Sequence, residues 1–155
     1  MATSYGWTGK ILRVNLTNGK ITEMPTSDYA PKFVGGRGIA EMIYWELVSP
    51  ECEALSPENA LIMITGVADG TLLPSGSRLC VVSKSPLPLK ECMEWSTPGG
   101  HVSAELKFAG YDGIVIKGKS PKPVYLWIND GKAELRSADR LWGKLLSDMM
   151  LEIYQ

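Results

Sequence analysis

The sequence predicts a domain of the mixed α+β class, and three kinds of segment lead to that prediction. Two stretches of alternating apolar residues are interrupted by Asn18-Gly19 and Asp130-Gly131, dipeptides that favour the tight turns of β-hairpins. Three short, nearly continuous apolar runs are typical of strands buried on both faces. The few segments with helical spacing are mixed among the strands and do not alternate regularly with them.

The first hairpin is expected at residues 10–23, with a two-residue turn at Asn18-Gly19. The second is expected at residues 123–136, turning at Asp130-Gly131. Three further strands are expected at residues 60–65, 78–84 and 113–118. Helices are expected at residues 37–48, 98–109 and 144–155. The last of these carries an apolar stripe formed by Leu146, Met149, Met150 and Ile153, and its helical pattern continues to the final residue without a stop signal.

Bulk composition narrows the function classes. A length of 155 residues with 45% hydrophobic residues fits a single domain with its own core. A net charge of −1 with interspersed charges argues against nucleic-acid or anionic-membrane partners, and no apolar run approaches the ~20 residues of a membrane span. The three cysteines show no CxxC spacing, which disfavours a disulfide scaffold, a zinc site or a complete iron–sulfur site and favours a reduced cytoplasmic location.

The most informative segment is STPGGHVSAELKFAG, residues 96–110. Thr97 is a suitable helix cap, and Pro98 suits the first helical position. Gly99 and Gly100 would then occupy the first turn, where their free N–H groups and missing side chains favour the close approach of an anion. The alternative is that the two glycines only allow backbone to pack against backbone, and the residues alone leave both readings open.

Other glycine loops lack the features of known nucleotide-binding motifs. FVGGRG does not follow a strand pattern, and GTLLPSGSR lacks the lysine of a phosphate-binding P-loop. Arg37 and Arg78 in these loops could each bind a phosphate or carboxylate, although Arg37 is better explained as a surface residue capping helix carbonyls. His101 is the single histidine and could be oriented by Glu105, but no nucleophile motif accompanies it. The residues alone therefore predict no catalytic constellation.

Several motifs occur together in the order and approximate spacing of one family: GWTGKILRVNLTNGKI, KFVGGRGIA, LSPENALIMITG, SGSRLCVVSKSPL and GGHVSAELKFAGYDGIVIKG. From about residue 5 to residue 144, the chain resembles the N-terminal domain of the tungsten-dependent aldehyde ferredoxin oxidoreductases. The resemblance implies a base of mixed sheets that carries a tungsten, or molybdenum, bis-pterin cofactor. It also implies oxidation of aldehydes to carboxylic acids, a nearby [4Fe–4S] cluster and ferredoxin as electron acceptor.

The same resemblance implies roles for individual residues. Arg78 would bridge pterin and cluster, the backbone carbonyl of Thr97 would bind a magnesium ion that joins the pterin phosphates, and Gly99 and Gly100, with His101 beside them, would lie under the pterin. The segment STPGGH departs from the family's more usual Asn-Ser-Gly-Gly-aromatic pattern, which bears on Thr97, Pro98 and His101.

Two interpretations follow from the resemblance. In the first, residues 1–155 are an N-terminal-like domain truncated at its C-terminal end, inactive alone, which joins remaining domains or a separate catalytic subunit that holds the cluster. In the second, the chain is a stand-alone, non-catalytic module that binds a partner or a phosphate-bearing ligand through the same loops. In the isolated domain the terminal stripe is expected to be exposed, where the missing half would pack, and to favour self-association.

Overall fold

The computed structural model describes residues 6–153 of the chain. In chain order, its strands are β1 Lys10–Asn15, β2 Lys20–Pro25, β3 Ala60–Ile64, β4 Cys80–Ser85, β5 Cys92–Ser96, β6 Gly113–Lys117, β7 Val124–Asn129 and β8 Lys132–Ser137. The helices are α1 Ala30–Phe33, α2 Gly36–Leu47, α3 Val102–Phe108 and α4 Leu146–Ile153, with a short 3₁₀ helix at Thr26–Asp28. The prediction of a mixed α+β domain is confirmed.

Six strands form one sheet in the order β2-β1-β6-β3-β4-β5, and β7 pairs with β8 in a separate hairpin. Strands β1 and β6 are parallel, and the other neighbours are antiparallel. A parallel pair needs a long crossover connection, and the chain between β1 and β6 supplies one. Both sheet edges belong to strands with one partner each among the described residues.

Helix α2 covers one face of the six-stranded sheet. Its Ile39 and Ile43, one helical turn apart, lie in the same fully buried cluster as Ile62 and Val115 of the central strands. The prediction of a helix at residues 37–48 is confirmed, because these apolar side chains fall on a single helical stripe.

The hairpin β7–β8 and helix α3 cover the other face. Leu106 of α3 and Leu126 of β7 belong to a second cluster with Leu12 and Ile114 of the sheet. This cover leaves part of the face open, since Leu61 on β3 is 40% exposed. Burial on both faces was expected for three strands. It is most complete in β6, whereas β3 and β4 each have one face that is less buried.

The first hairpin differs from its prediction in the length of its loop. The loop contains four residues, 16–19, and only Gly19 has positive φ, whereas a two-residue turn would need positive φ at Asn18 as well. The physical reason is tertiary: the Leu16 N–H donates to the Lys117 carbonyl at 2.8 Å, so pairing with β6 holds this residue beyond the hairpin ladder. At the second hairpin, Asp130 and Gly131 both have positive φ, as predicted.

The prediction for the start of the second predicted helix, residues 98–109, was wrong. Helix α3 begins at Val102, with His101 as its N-cap, and not at Pro98. Gly100 has a φ of +98°, which an α-helix cannot contain, so Thr97 is not a helix cap. Residues 97–100, called the 97–100 segment below, form an irregular connection between β5 and α3.

Strand β5 was missed by the sequence prediction, and helix α4 was predicted. All five residues of β5 are exposed, so it lacks the alternating pattern that identifies a half-buried strand. No residue of α4 is buried, and Tyr154 and Gln155, which the prediction included in that helix, lie outside the described residues. Within the described part of the chain, no helix is long and apolar enough to cross a membrane.

Candidate functional site

A cleft of about 400 Å³ opens where three loops meet, at residues 34–36, 66–69 and 75–78. The buried carboxylate of Asp69 stands between two of them, because it accepts hydrogen bonds from the Gly66 N–H at 2.7 Å and the Arg78 N–H at 3.3 Å. Residues of the GGRG and SGSR loops, which are 40 residues apart in the chain, both line this cleft and so form one surface. Neither loop sequence on its own predicts that the two loops are adjacent in the fold.

Glycines on the walls of the cleft serve close packing. A Cβ added to Gly35 would lie 2.9 Å from the Cγ2 of Val67, and one added to Gly76 would lie 2.9 Å from the Ala68 carbonyl oxygen. Both distances are too short for a real side chain. For these two positions, the packing explanation of a glycine loop is the correct one.

The SGSR loop contacts the 97–100 segment through three successive residues. The Ser77 hydroxyl donates to the Gly100 carbonyl, and the Leu79 N–H donates to the Pro98 carbonyl at 3.2 Å. The Arg78 Nη1 donates to the Thr97 carbonyl at 3.3 Å. The carbonyl groups of the 97–100 segment are therefore directed toward the SGSR loop. This network explains why the segment is not helical, since its carbonyl groups have partners outside the helix.

The backbone N–H groups of Gly99, Gly100 and the following residue, His101, differ from these carbonyl groups. Within residues 6–153, no atom accepts a hydrogen bond from the backbone N–H of Gly99, Gly100 or His101. All three residues are exposed, and a Cβ added to either glycine would meet no atom within 4 Å. The backbone here is bare and carries unused donors, unlike the backbone of Gly35 and Gly76.

The guanidinium group of Arg78 is exposed and is bonded at 3.3 Å to the Thr97 carbonyl, in the segment that leads to these donors. Five residues were expected to contact a cofactor, and the structure places them on two connected segments: Arg78, Thr97, Gly99, Gly100 and His101. The sequence analysis missed Ser77, whose hydroxyl also lies 3.0 Å from the Ser103 hydroxyl and joins the loop to α3. The sequence feature that could have indicated Ser77 is its position next to Arg78 in the SGSR motif.

Two of the expectations, carbonyl capping by Arg37 and orientation of the His101 imidazole by Glu105, are not met among the described residues. Arg37 forms an ion pair with Glu41 at 2.6 Å and stacks on Trp95, with 4.3 Å between the guanidinium carbon and the ring centroid. It therefore does not cap helix carbonyls. The imidazole of His101 makes no hydrogen bond within the described residues, and Glu105 contacts this residue only through its N–H, which donates to the His101 carbonyl at 2.9 Å.

The ELKFAGYD motif has a structural role. Lys107 and Asp112 form a buried ion pair at 2.7 Å, with side chains 7% and 2% exposed. Asp112 also accepts hydrogen bonds from the Thr26 hydroxyl at 2.6 Å and from the N–H groups of Thr8 and Gly9 at 2.9 and 2.8 Å. This carboxylate joins α3 to the segment before β1 and to the end of β2.

The pKa of Asp112 reflects two opposing effects. Burial would raise the pKa, but hydrogen bonds from Lys107, Thr26 and Thr8 and the charge of Lys107 outweigh it and hold the pKa below its ordinary value. The group is therefore ionised at neutral pH, and the chain needs it in that form to hold these elements together.

Comparisons with known proteins agree with the fold. A family model described as the aldehyde ferredoxin oxidoreductase N-terminal domain matches residues 11–155. The chain belongs to this family. The resemblance recognised in the motifs is thereby confirmed.

Several relatives of this aldehyde ferredoxin oxidoreductase N-terminal domain are oxidoreductases. The tungsten-containing aldehyde ferredoxin oxidoreductases of Pyrococcus abyssi and Pyrococcus furiosus are 46% and 44% identical to it, each over 93% of this chain and 24% of the relative. An aliphatic sulfonate oxidoreductase, WOR-like subunit, of Pyrococcus furiosus is 36% identical over 97% of this chain and 25% of the relative.

A solved structure gives the same result for the fold. The active-site complex BamBC of benzoyl coenzyme A reductase, determined with 1,5-dienoyl-CoA, superposes with a TM-score of 0.91 at 41% identity, over 96% of this chain and 23% of that one. The domain therefore spans about a quarter of the length of the relatives that it matches.

Proposed function

We propose that this chain is the cofactor-platform part of a tungsten or molybdenum bis-pterin oxidoreductase. In this proposal, Arg78, Thr97, Gly99, Gly100 and His101 contact a phosphate-bearing pterin. The observation that carries the proposal is that the carbonyl groups and the N–H groups of one short stretch of backbone differ in whether they have hydrogen-bond partners. The carbonyl groups bind the SGSR loop, while the exposed N–H groups of Gly99, Gly100 and His101 keep no partner within the described residues.

The residues present suit such a group. Backbone N–H groups in succession, with no side chain above Gly99 and Gly100, allow a phosphate to approach within hydrogen-bonding distance. The exposed guanidinium of Arg78, which is bonded to the Thr97 carbonyl of the same segment, can add charge and two-pronged bonding. When bound, the metal of the pterin would accept electrons as an aldehyde is oxidised with water to a carboxylic acid. The residues of this chain would bind and orient the cofactor and supply none of the acid–base groups.

The magnesium contact at the Thr97 carbonyl has a condition attached. Arg78 Nη1 already lies 3.3 Å from that oxygen, so a divalent cation there would stand beside a guanidinium. Repulsion between the two cations requires phosphate oxygens between them, or a movement of Arg78 toward the phosphate. In this proposal the phosphates would therefore have to be present for the ion to be held there.

Other parts of the reaction are assigned elsewhere in this proposal. The [4Fe–4S] cluster, the ferredoxin contact and the acid–base residues belong to remaining domains or to a separate catalytic subunit. Two of the three cysteines, Cys52 and Cys80, are buried, and within residues 6–153 no three His, Cys, Asp or Glu side chains converge as a metal site requires.

The proposed anion site is tested by titrating the ¹⁵N-labelled chain with inorganic phosphate and pyrophosphate while amide signals are followed by NMR. Shifts concentrated at Gly99, Gly100 and His101 are expected at millimolar ligand. Arg78→Ala should weaken binding about two- to five-fold, since an exposed charge pair contributes ~0.5–1 kcal/mol. Arg140→Ala removes an equal charge from another exposed position and is the matched control. Shifts elsewhere, or none, would contradict the site.

Gly99→Ala is a sharper variant for the same titration. Its φ is not positive and an added methyl meets no protein atom within 4 Å, so the variant should fold like the parent chain. If a phosphate rests on this backbone, the methyl group should weaken binding. Unchanged affinity in a folded Gly99→Ala chain would place the anion away from this residue.

The purified chain alone should carry no [4Fe–4S] cluster and should not oxidise aldehydes, because such a cluster normally needs four cysteine thiolates and the chain has three. Visible absorption spectra, iron analysis and dye reduction with short aldehydes measure this. A stoichiometric cluster on a monomer, or aldehyde-dependent dye reduction, would overturn the division of roles.

A further inference from the structure

The 97–100 segment follows a strand that is weakly held. Strand β5 is the edge of the six-stranded sheet and pairs only with β4 within the described residues. All five of its residues are exposed, and Trp95, which pairs with Val82, is 47% exposed. A strand with one partner and little buried surface is prone to local opening. The following segment is bonded to Ser77, Arg78 and Leu79, but its position also depends on what holds the end of β5.

Arg37 makes a contact that could do this. Its guanidinium carbon lies 4.3 Å above the centre of the Trp95 ring, two residues before Thr97. The same guanidinium donates from Nε to Glu41 at 2.6 Å, one helical turn farther along α2. The ion pair fixes the plane of the guanidinium, and the plane then covers the ring.

Helix α2 is a firm support for such a contact. Its Ile39 and Ile43 are fully buried against the sheet, and the N–H of Gly36 at its first turn donates to the Thr65 carbonyl at 3.0 Å. Arg37 lies between these anchored residues. A cation–π contact from this helix therefore joins the well-packed centre of the domain to the exposed strand end.

We infer that Arg37 is a positioning residue for the anion site: its stacking on Trp95 holds the end of β5 against α2 and thereby fixes the 97–100 segment. The inference rests on the proposed function, since the segment matters for function only if the cofactor binds there. Arg37 itself does not touch the ligand. Its removal should loosen the segment and weaken the ligand contact made by other residues.

The chain contains a matched control for this contact. Arg136 stacks on Trp127 with the same 4.3 Å from guanidinium carbon to ring centroid, and it pairs with Glu134. This second stack lies on the β7–β8 hairpin, which does not lead into the 97–100 segment. Arg136→Ala thus removes an equivalent interaction, with a similar cost in stability, at a place unrelated to the site.

The experiment compares Arg37→Ala, Arg136→Ala and the parent chain by ¹⁵N relaxation and by phosphate titration. Arg37→Ala should lower the order parameters of Gly99, Gly100 and His101 and weaken phosphate binding up to about two- to five-fold, the factor that corresponds to an exposed cation–π contact. Arg136→Ala should leave both quantities unchanged. Equal effects of the two variants, or no effect of Arg37→Ala, would overturn the inference.

A double-mutant cycle separates positioning from a general loss of stability. Trp95→Ala should reproduce the effect of Arg37→Ala, and the double variant should add little to either. Trp95→Phe, which keeps an aromatic face, should recover part of the order parameters. Additive effects of Arg37→Ala and Trp95→Ala would show that the stack is not what fixes the segment.

The design also distinguishes this inference from the proposed function. If the parent chain binds no phosphate, the proposed function fails, while the relaxation data still decide whether Arg37 orders the segment. If the parent chain binds phosphate and Arg78→Ala weakens binding but Arg37→Ala changes neither measurement, the proposed function stands and the inference about Arg37 fails.

Discussion

At the scale of single residues, the carboxylate of Asp112 in the buried Lys107–Asp112 pair holds several elements of the chain together. Asp112 receives donors from the segment before β1, from the end of β2 and from α3. A buried ion pair of this kind gives little net stability compared with an apolar pair, but the loss of one partner leaves the other charge buried and uncompensated.

Asp112→Asn should therefore destabilise the domain by about 3–5 kcal/mol. The free energy of unfolding from urea titration measures the loss. Glu152→Gln, which removes the acid of the exposed Lys144–Glu152 pair, should cost less than about 1 kcal/mol and is the control. A loss in Asp112→Asn as small as that of the control would show that the buried pair does not hold these elements together.

The same carboxylate should make stability depend on acid pH. Its pKa in the folded chain lies below the ordinary value of 3.8, so its contribution is complete above that value and is lost as pH falls through the lower folded pKa. Urea titrations from neutral pH to about pH 3 should show a declining midpoint in the parent chain. The part of this decline that comes from Asp112 should vanish in Asp112→Asn.

The residue scale also marks a limit of sequence reasoning. Arg78, Thr97 and the two glycines were identified by their motifs, and the structure brings them together. Their hydrogen-bond roles were not predictable, because the Ser77, Arg78 and Leu79 donors come from a loop about 20 residues earlier in the chain. Local capping preferences at Thr97 and Pro98 pointed to a helix start, and these tertiary bonds override them.

At the scale of elements, the end of α3 is encoded locally. The N–H of Tyr111 donates to the Leu106 carbonyl at 3.1 Å, and the N–H of Gly110 donates to the Lys107 carbonyl at 2.9 Å. Gly110 has a φ of +95°, the left-handed conformation of a helix stop. Tyr111 and Leu106 then pack in the same core cluster. The turn places Asp112 directly after a buried tyrosine and next to β6.

Gly110→Ala should destabilise the domain by about 1–2 kcal/mol, the cost of a left-handed conformation for a residue with a Cβ. Crowding does not contribute, since the nearest atom to an added Cβ is the Gly131 Cα at 3.9 Å. Thermal and urea unfolding measure the change. Gly99→Ala, without positive φ, should stay within about 0.5 kcal/mol of the parent chain. Equal stabilities of the two variants would contradict this reading of the helix end.

Elements with a local signal were predictable, and those shaped by distant contacts were not. Asp130-Gly131 set the second hairpin, because both residues can adopt positive φ. The first hairpin kept its strands but gained two loop residues, since β6 competes for Leu16. Strand β5 gave no signal, because an exposed edge strand needs no apolar alternation and is defined only by its pairing with β4.

At the scale of the whole molecule, the distribution of apolar surface is uneven. Both faces of the six-stranded sheet have cores, yet α4 has no buried residue, and Leu146 and Leu151 in it are each 67% exposed. Exposed apolar patches of this kind favour association. The chain spans about a quarter of its relatives, so this surface is also a proposed contact for remaining domains or a separate subunit.

The isolated chain should therefore self-associate as its concentration rises. Light scattering and sedimentation should show a concentration-dependent increase in mass, and the paired substitution Leu146→Glu with Met150→Glu should reduce it. Exposed Thr22→Glu on β2 supplies a charge control away from α4. A monomer at all concentrations, or association that the paired substitution leaves unchanged, would contradict a role for α4.

The arrangement of the 97–100 segment has a consequence for how this surface tolerates sequence drift. In the proposed function, the groups offered to the ligand are peptide N–H groups, which every residue except proline supplies, whereas the side chains of Thr97 and His101 are not needed to offer them. Replacement of these side chains by others should leave recognition intact while the bonds from Ser77 and Leu79 to the carbonyls persist. In the proposed function, the STPGGH pattern is therefore compatible with the same binding surface. The residues that cannot be replaced freely are those that hold the segment in place, Ser77 among them.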